Sequence, residues 1–180
     1  MQTASGPTDP QPTSQAAGPR PLYTPEERQR RDDSPWTLVQ GVLAPVQFLV
    51  FLVSLGLVFR YLATGEGLVA AHASIVIKTG VLYLIMVTGS IWEKVVFGRY
   101  LFAPAFYWED VFSMLVLALH TAYLVALFGG LLDATALMYL ALAAYAAYVI
   151  NAVQFILKLR AARLGAAQDA TAAGMAGASS

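Results

Sequence analysis

The sequence contains no cysteine. That absence removes disulfides, thiolate metal sites, iron–sulfur clusters and cysteine nucleophiles together. Charge is also scarce. Only 12% of the 180 residues are Asp, Glu, Lys or Arg, where a soluble domain carries about 25%. So little charge cannot cover a surface that faces water. The formal net charge is zero, so no overall field draws the chain to nucleic acid, and no nucleic-acid partner is expected. Residues 1–35 hold seven of the nine prolines and lack an apolar core of the kind a secretory signal has. No cleavable signal is expected, and the first hydrophobic block reads as a retained anchor.

What the chain has in excess is apolar residues, 58% of the total, and they are gathered into blocks. Trp36 to Phe59 is uncharged, Leu68 to Trp92 carries only Lys78, and Val111 to Leu132 and Ala134 to Leu157 are uncharged. Each meets the length of about 20 residues needed to cross a bilayer as a helix. No short alternating segments suggest a barrel. The expected fold is all-α: a polytopic membrane protein built as a four-transmembrane-helix bundle. Its helices are expected at about 36–62, 68–92, 109–132 and 134–159. Residues 1–34 read as a disordered Pro-rich tail, 35–163 as the transmembrane domain and 164–180 as a second disordered tail. Within the first tail, the stretch from Pro25 to Asp33 has the makings of a short surface helix.

Orientation follows from the cations. Arg28, Arg30, Arg31, Lys94, Arg99, Lys158, Arg160 and Arg163 flank the spans on one side, and only Arg60 on the other. The positive-inside rule then expects both termini and the loop 93–110 to be cytoplasmic. The turn Gly129 to Asp133 is so short that the last two helices are expected to be antiparallel neighbours.

Ionisable residues inside a span are costly and usually face the bundle interior. At a rise of about 1.5 Å per residue, Lys78 is expected about 15 Å from the outer face and His120 about 14 Å from the inner one. In a core of about 30 Å the two share a level and can face each other. They serve either as a structural pair or as part of a site. His72 is expected near the outer face. Its level differs from that of His120, which argues against a bis-histidine haem. Gln40, Gln47 and Ser54 share a face of the first helix, and His72, Thr79, Tyr83 and Ser90 a face of the second. Tyr148 and Asn151 add polar groups to the last. Such stripes glue helices together or line a polar slot.

The densest chemistry lies between Ile91 and Asp110, with three carboxylates, two cations and seven aromatic residues. Trp92, Trp108 and their neighbours suit an interfacial belt, but Glu93, Glu109 and Asp110 do nothing for topology. A flat apolar ligand with a charged edge would stack on the rings, with its carboxylate held by Lys94 or Arg99. Glu109 and His120 are expected on one helix face, about 16 Å apart along the axis, too far to touch one atom.

The runs WTLVQGVLAPVQFLVFLVSLGLVFRYL, KTGVLYLIMVTGSIWEKVVFGRYLFAPAFYWEDVFS, ALHTAYLVALF and MYLALAAYAAYVINAVQFILKLR closely resemble the 2-vinyl bacteriochlorophyllide hydratase family, over about residues 22–163. The resemblance implies a hydro-lyase of phototrophic bacteria, resident in the cytoplasmic or intracytoplasmic photosynthetic membrane. It would add water to the C3 vinyl group of chlorophyllide a or 3-vinyl bacteriochlorophyllide, giving the 1-hydroxyethyl group in bacteriochlorophyll a biosynthesis. Membrane lipid and other enzymes of that pathway are the implied partners. No cofactor is implied, since hydration moves no electrons. Carboxyl groups buried among aromatics hold a proton near neutrality, so Glu93 and Glu109 are the first catalytic candidates for acid and water-activating base, with Asp110 third. Lys78, Tyr83, Trp92, Lys94, Arg99, Trp108 and His120 are the substrate-binding candidates. His120 is also a candidate axial ligand to the substrate's magnesium.

Two other functions suit the residues alone. A pigment-binding or assembly protein would hold tetrapyrroles with the vinyl group unchanged. A small transport or channel subunit would use the Lys78 and His120 level as a polar pathway.

Overall fold

Five helices make up residues 22–178, the residues described by the computed structural model: α1 (Pro25–Asp33), α2 (Pro35–Thr64), α3 (Leu68–Phe97), α4 (Tyr107–Phe128) and α5 (Ala134–Ala178). There is no strand among the described residues. Residues 1–21, expected to be unstructured, lie outside the described range.

The helix ends have local causes. Ser34 caps α2 by accepting from the Trp36 N–H, with Pro35 in the first turn, where its missing N–H costs nothing. Gly98 ends α3 at φ 80°, a conformation that costs a side-chain-bearing residue energy. α3 thus runs to Phe97, five residues past the expected end. α4 stops at Phe128 although hydropathy continues through Leu132. Gly130 turns left-handed at φ 60° and the Leu131 N–H bonds back to the Ala126 carbonyl at 3.0 Å, the closure that terminates helices at glycine. α5 continues as helix to Ala178, where a disordered tail was expected from residue 164. An alanine-rich stretch carries high helix propensity and continues the helix that feeds it.

The short surface helix expected within the first tail is present as α1, closed by a reciprocal capping box between Thr24 and Glu27. Tyr23 is buried, stacked on Phe97 with ring centroids 5.7 Å apart, and the Arg31 guanidinium lies 4.8 Å from its ring centroid. Burial pushes the Tyr23 phenol above its ordinary pKa, with Arg31 pulling the other way. Tyr23→Ala should cost about 2 kcal/mol of local stability. Trypsin cleavage after Arg28, Arg30 and Arg31 should then be roughly thirtyfold faster in detergent. An unchanged cleavage rate would mean that α1 is held by something other than this ring.

Four helices, α2, α3, α4 and the α5 segment to Gly165, are long and apolar enough to cross a membrane. They pack antiparallel in sequence order. Thr37 meets Trp92, Gln40 meets Thr88 and Ser54 meets Ser74 across α2 and α3. Likewise Glu109 meets Lys158 and Ser113 meets Asn151 across α4 and α5. The result is an up-down-up-down bundle. Its outer surface is apolar, with Leu38, Leu49, Val53, Val69 and Phe128 among the exposed residues, as a lipid-facing surface requires. Lipid is as apolar as leucine, so close backbone approach and polar contacts must hold the helices together. Ala71, Ala126, Ala141, Ala144 and Ala147 supply the first, all buried. The second comes from the hydrogen bonds just named.

Candidate active site

Residues Ala71, Ile75, Lys78, Leu82, Glu93 and Val96 of α3 are buried, and so are Glu109, Ser113, Val116, His120 and Tyr123 of α4. These spacings of three, four or sums of the two place each set on one helix face. The two faces meet inside the bundle and create a polar column with distinct levels.

At one end, the end that carries α1 and the 98–106 loop, sit the three carboxylates. Glu93 is 6% exposed, Glu109 7% and Asp110 4%. The loop folds back over them. Its Ala103 N–H donates to Glu93 Oε2 at 3.3 Å and its Phe102 N–H to Asp110 Oδ2 at 2.7 Å. To aim that N–H, Phe102 adopts φ 59°, a left-handed conformation uncommon outside glycine and associated with functional sites. Adjacent N–H groups of one loop thus seat the Glu93 and Asp110 carboxyl groups. Two carboxyl groups gathered out of water oppose each other's ionisation, which favours one of them keeping its hydrogen. Glu109 has a different partner: its Oε2 lies 2.6 Å from Lys158 Nζ, reached from α5. The same ammonium sits 4.9 Å from the centroid of the Phe106 ring.

An aromatic cap closes this end. Phe106 lies within ring-contact distance of Tyr23, Trp92, Phe97 and Phe155. The Trp92 indole N–H donates to Thr37 Oγ1 at 2.9 Å, which ties the cap to α2. Two surface grooves lie elsewhere. One of about 390 Å³ is lined by Leu38, Val39, Val42, Leu43, Leu84 and Thr88, on the α2–α3 seam. The other, about 350 Å³, lies where α1 meets α2. Neither is lined by a carboxylate of the cluster.

One turn below Glu109, Ser113 accepts a hydrogen bond from Asn151 at 2.8 Å. An apolar layer of Leu82, Val116 and Ala147 follows. Below it Lys78 Nζ lies 2.9 Å from His120 Nε2, inside a cage formed by the rings of Tyr148, Tyr145 and Phe51 at 4.3, 5.1 and 6.0 Å. The expected meeting of Lys78 and His120 is therefore present. At the far end His72 bonds the Tyr123 hydroxyl at 2.7 Å.

The structure sorts the sequence candidates. It brings Glu93, Glu109 and Asp110 together, with Trp92 in the cap above them. The two carboxyls that the loop seats are Glu93 and Asp110, where Glu93 and Glu109 were the expected acid and base; Glu109 is drawn instead to Lys158. Lys94 and Arg99 are exposed at the same end, and the Lys94 ammonium bonds the Gly98 carbonyl. Trp108 is 67% exposed and points away from the cluster's interior. Tyr83 bonds Thr121 on the outside of the α3–α4 seam. Fifteen residues of α3 separate Lys78 from Glu93, about 22 Å of rise, so Lys78 does not reach the same ligand atoms.

His120 is not placed to ligate a magnesium. Its Nδ1 lies 2.8 Å from the Val116 carbonyl, which only accepts, so Nδ1 carries the hydrogen. The Nε2 lone pair is then taken by Lys78, and the residue is fully buried. Among the described residues no group of three His, Asp or Glu side chains is arranged to hold a metal.

Sequence reasoning missed three participants. Lys158 had been counted only for topology, though a cation at the same end as three carboxylates is a signal. The backbone N–H groups of Phe102 and Ala103 leave no trace in residue types. Tyr23 lies in a segment read as tail.

The chain's relatives bear on this arrangement. The family described as 2-vinyl bacteriochlorophyllide hydratase (BCHF) matches residues 23–161. A 2-vinyl bacteriochlorophyllide hydratase of Cereibacter sphaeroides is 71% identical over 154 residues, 86% of this chain and 96% of the relative. One of Rhodobacter capsulatus is 66% identical over 163 residues, 91% of this chain and 92% of the relative. No solved structure matches. With the matched region running from the buried Tyr23 through α5 beyond Lys158, the chain belongs to the 2-vinyl bacteriochlorophyllide hydratase family.

Proposed function

We propose that this protein is a hydro-lyase of bacteriochlorophyll biosynthesis. It adds water across the ring-A vinyl group of chlorophyllide a or 3-vinyl bacteriochlorophyllide and leaves a 1-hydroxyethyl group. The observation that carries the chemistry is the Glu93–Asp110 carboxyl pair, buried and held by two adjacent backbone N–H groups of one loop. Such a pair supplies an acid in an apolar site without a cofactor. Its proton goes to the terminal vinyl carbon, and the π electrons of the double bond form the new C–H bond. The macrocycle delocalises the cation left on the inner carbon. A water molecule attacks that carbon, and its surplus proton returns to the carboxylate left by the first step. The balance is one water gained and no change in oxidation state.

Glu109, paired with Lys158, is the third carboxylate. It orients the attacking water, and the Lys158 ammonium holds the carboxylate in place. Arg99 and Lys94, exposed at the same end, suit the substrate's propionate. The aromatic cap matches a flat macrocycle. Tyr23 and Phe106 come from connecting segments, so they are the cap members free to yield when the disc enters. The basic residues at this end support a cytoplasmic orientation for it and for both termini. The matching relatives are named for a bacteriochlorophyllide substrate, which supports residence in a photosynthetic inner membrane, where other enzymes of the pathway would be neighbours.

The test is direct. Membranes containing the protein are incubated with chlorophyllide a or 3-vinyl bacteriochlorophyllide, and pigment mass is followed for a gain of one water. Bound pigment of unchanged mass would favour a carrier and sink the hydratase reading.

A further inference from the structure

Three side-chain oxygens inside the bundle have no hydrogen-bond donor among the described residues: Gln47 Oε1, Asn151 Oδ1 and Gln154 Oε1. Gln47 is 2% exposed. A buried acceptor left without a donor costs as much as a lost hydrogen bond, so native structures almost always provide one. These three are not scattered. Phe51 of α2 touches Tyr148 of α5, with centroids 5.0 Å apart. Gln47 lies one turn from Phe51, toward the carboxylate end. Asn151 and Gln154 lie three and six residues from Tyr148 in the same direction. At about 1.5 Å per residue all three fall within about one helical turn of depth. That level lies between the Lys78–His120 pair and the carboxylates. It is joined to the latter by the Asn151 to Ser113 hydrogen bond, one turn from Glu109.

We propose that Gln47, Asn151, Gln154 and Ser113 form a buried water-binding site that feeds the carboxylate cluster. Water is the ligand class that fits. It donates twice, which answers amide oxygens that only accept, and it is small enough for a closed interior. Asn151 anchors the site: its amide N–H donates to Ser113, which leaves its oxygen to accept from a water. The inference rests on the hydratase reading for its purpose, because hydration consumes a water inside an apolar bundle. The binding site itself stands on the geometry alone. Gln47, Asn151 and Gln154 act here as positioning residues, not catalytic ones.

Radiolytic hydroxyl labelling reports side chains beside ordered water, independently of activity. Phe51, 4% exposed and one turn from Gln47, should be labelled in the wild-type protein in detergent or nanodiscs. Gln47→Met and Gln154→Met keep side-chain length and remove the acceptors. In each, Phe51 labelling should fall about fivefold, and kcat for hydration about tenfold with KM unchanged. The two single variants are read separately, so a folding failure in one leaves the other informative. Unlabelled Phe51 in the wild type overturns the site. Labelling lost with kcat retained overturns its role in supply. Labelled wild type that hydrates no pigment would count against the hydratase reading and leave the water site standing.

Discussion

Glu93→Gln is expected to lower kcat for vinyl hydration by about 10³-fold, the middle of the range for losing a general acid, with KM nearly unchanged. Asp110→Asn should do the same. The two carboxyls are seated by adjacent N–H groups of one loop and are proposed to act as one acid, so the double variant should be no slower than the worse single one. Such non-additivity separates a joint acid from two independent contributors. Each variant should still insert in the membrane and bind pigment, read as a shifted absorption band. Gln and Asn keep a hydrogen-bonding amide in place of the carboxyl, so the loop N–H groups retain acceptors. Glu93→Gln with near wild-type kcat would remove the pair from the mechanism.

The second large effect concerns folding. Lys158→Met leaves the Glu109 carboxylate 7% exposed with its cation gone. Removing one partner of a fully buried pair costs 3–5 kcal/mol. The Lys158 side chain keeps 26% exposure, which admits some solvent and brings the expected loss to about 2–3 kcal/mol. Unfolding in mixed detergent, followed by helicity, should show it. Adding Glu109→Gln should recover most of the loss, because the stranded charge is then absent. A single variant as stable as wild type would mean that water already screens Glu109 and that the pair is a surface one.

The membrane bundle itself was legible because its physics is local. Runs of about 20 uncharged apolar residues have one stable solution in lipid, a helix with every backbone group satisfied internally. The helix count and the meeting of Lys78 with His120 follow from counting residues along straight rods. That arithmetic fails where rods end. Hydropathy continues past Phe128, but Gly130 and the bond from Leu131 to Ala126 close α4 there.

The chain by itself also determined which residues are chemically unusual: three acids among aromatics that no topological need explains. Only the tertiary structure decided their partners. Glu93 and Asp110 lie 17 positions apart and meet because the 98–106 loop turns back, with Phe102 left-handed, to seat two N–H groups on them. Glu109 and Lys158 are joined by the packing of α4 on α5. The physical reason is one of reach. Burial and helix formation are written in runs of neighbouring residues. A hydrogen bond of under 3 Å depends on how whole helices rotate against each other, and no local pattern encodes that.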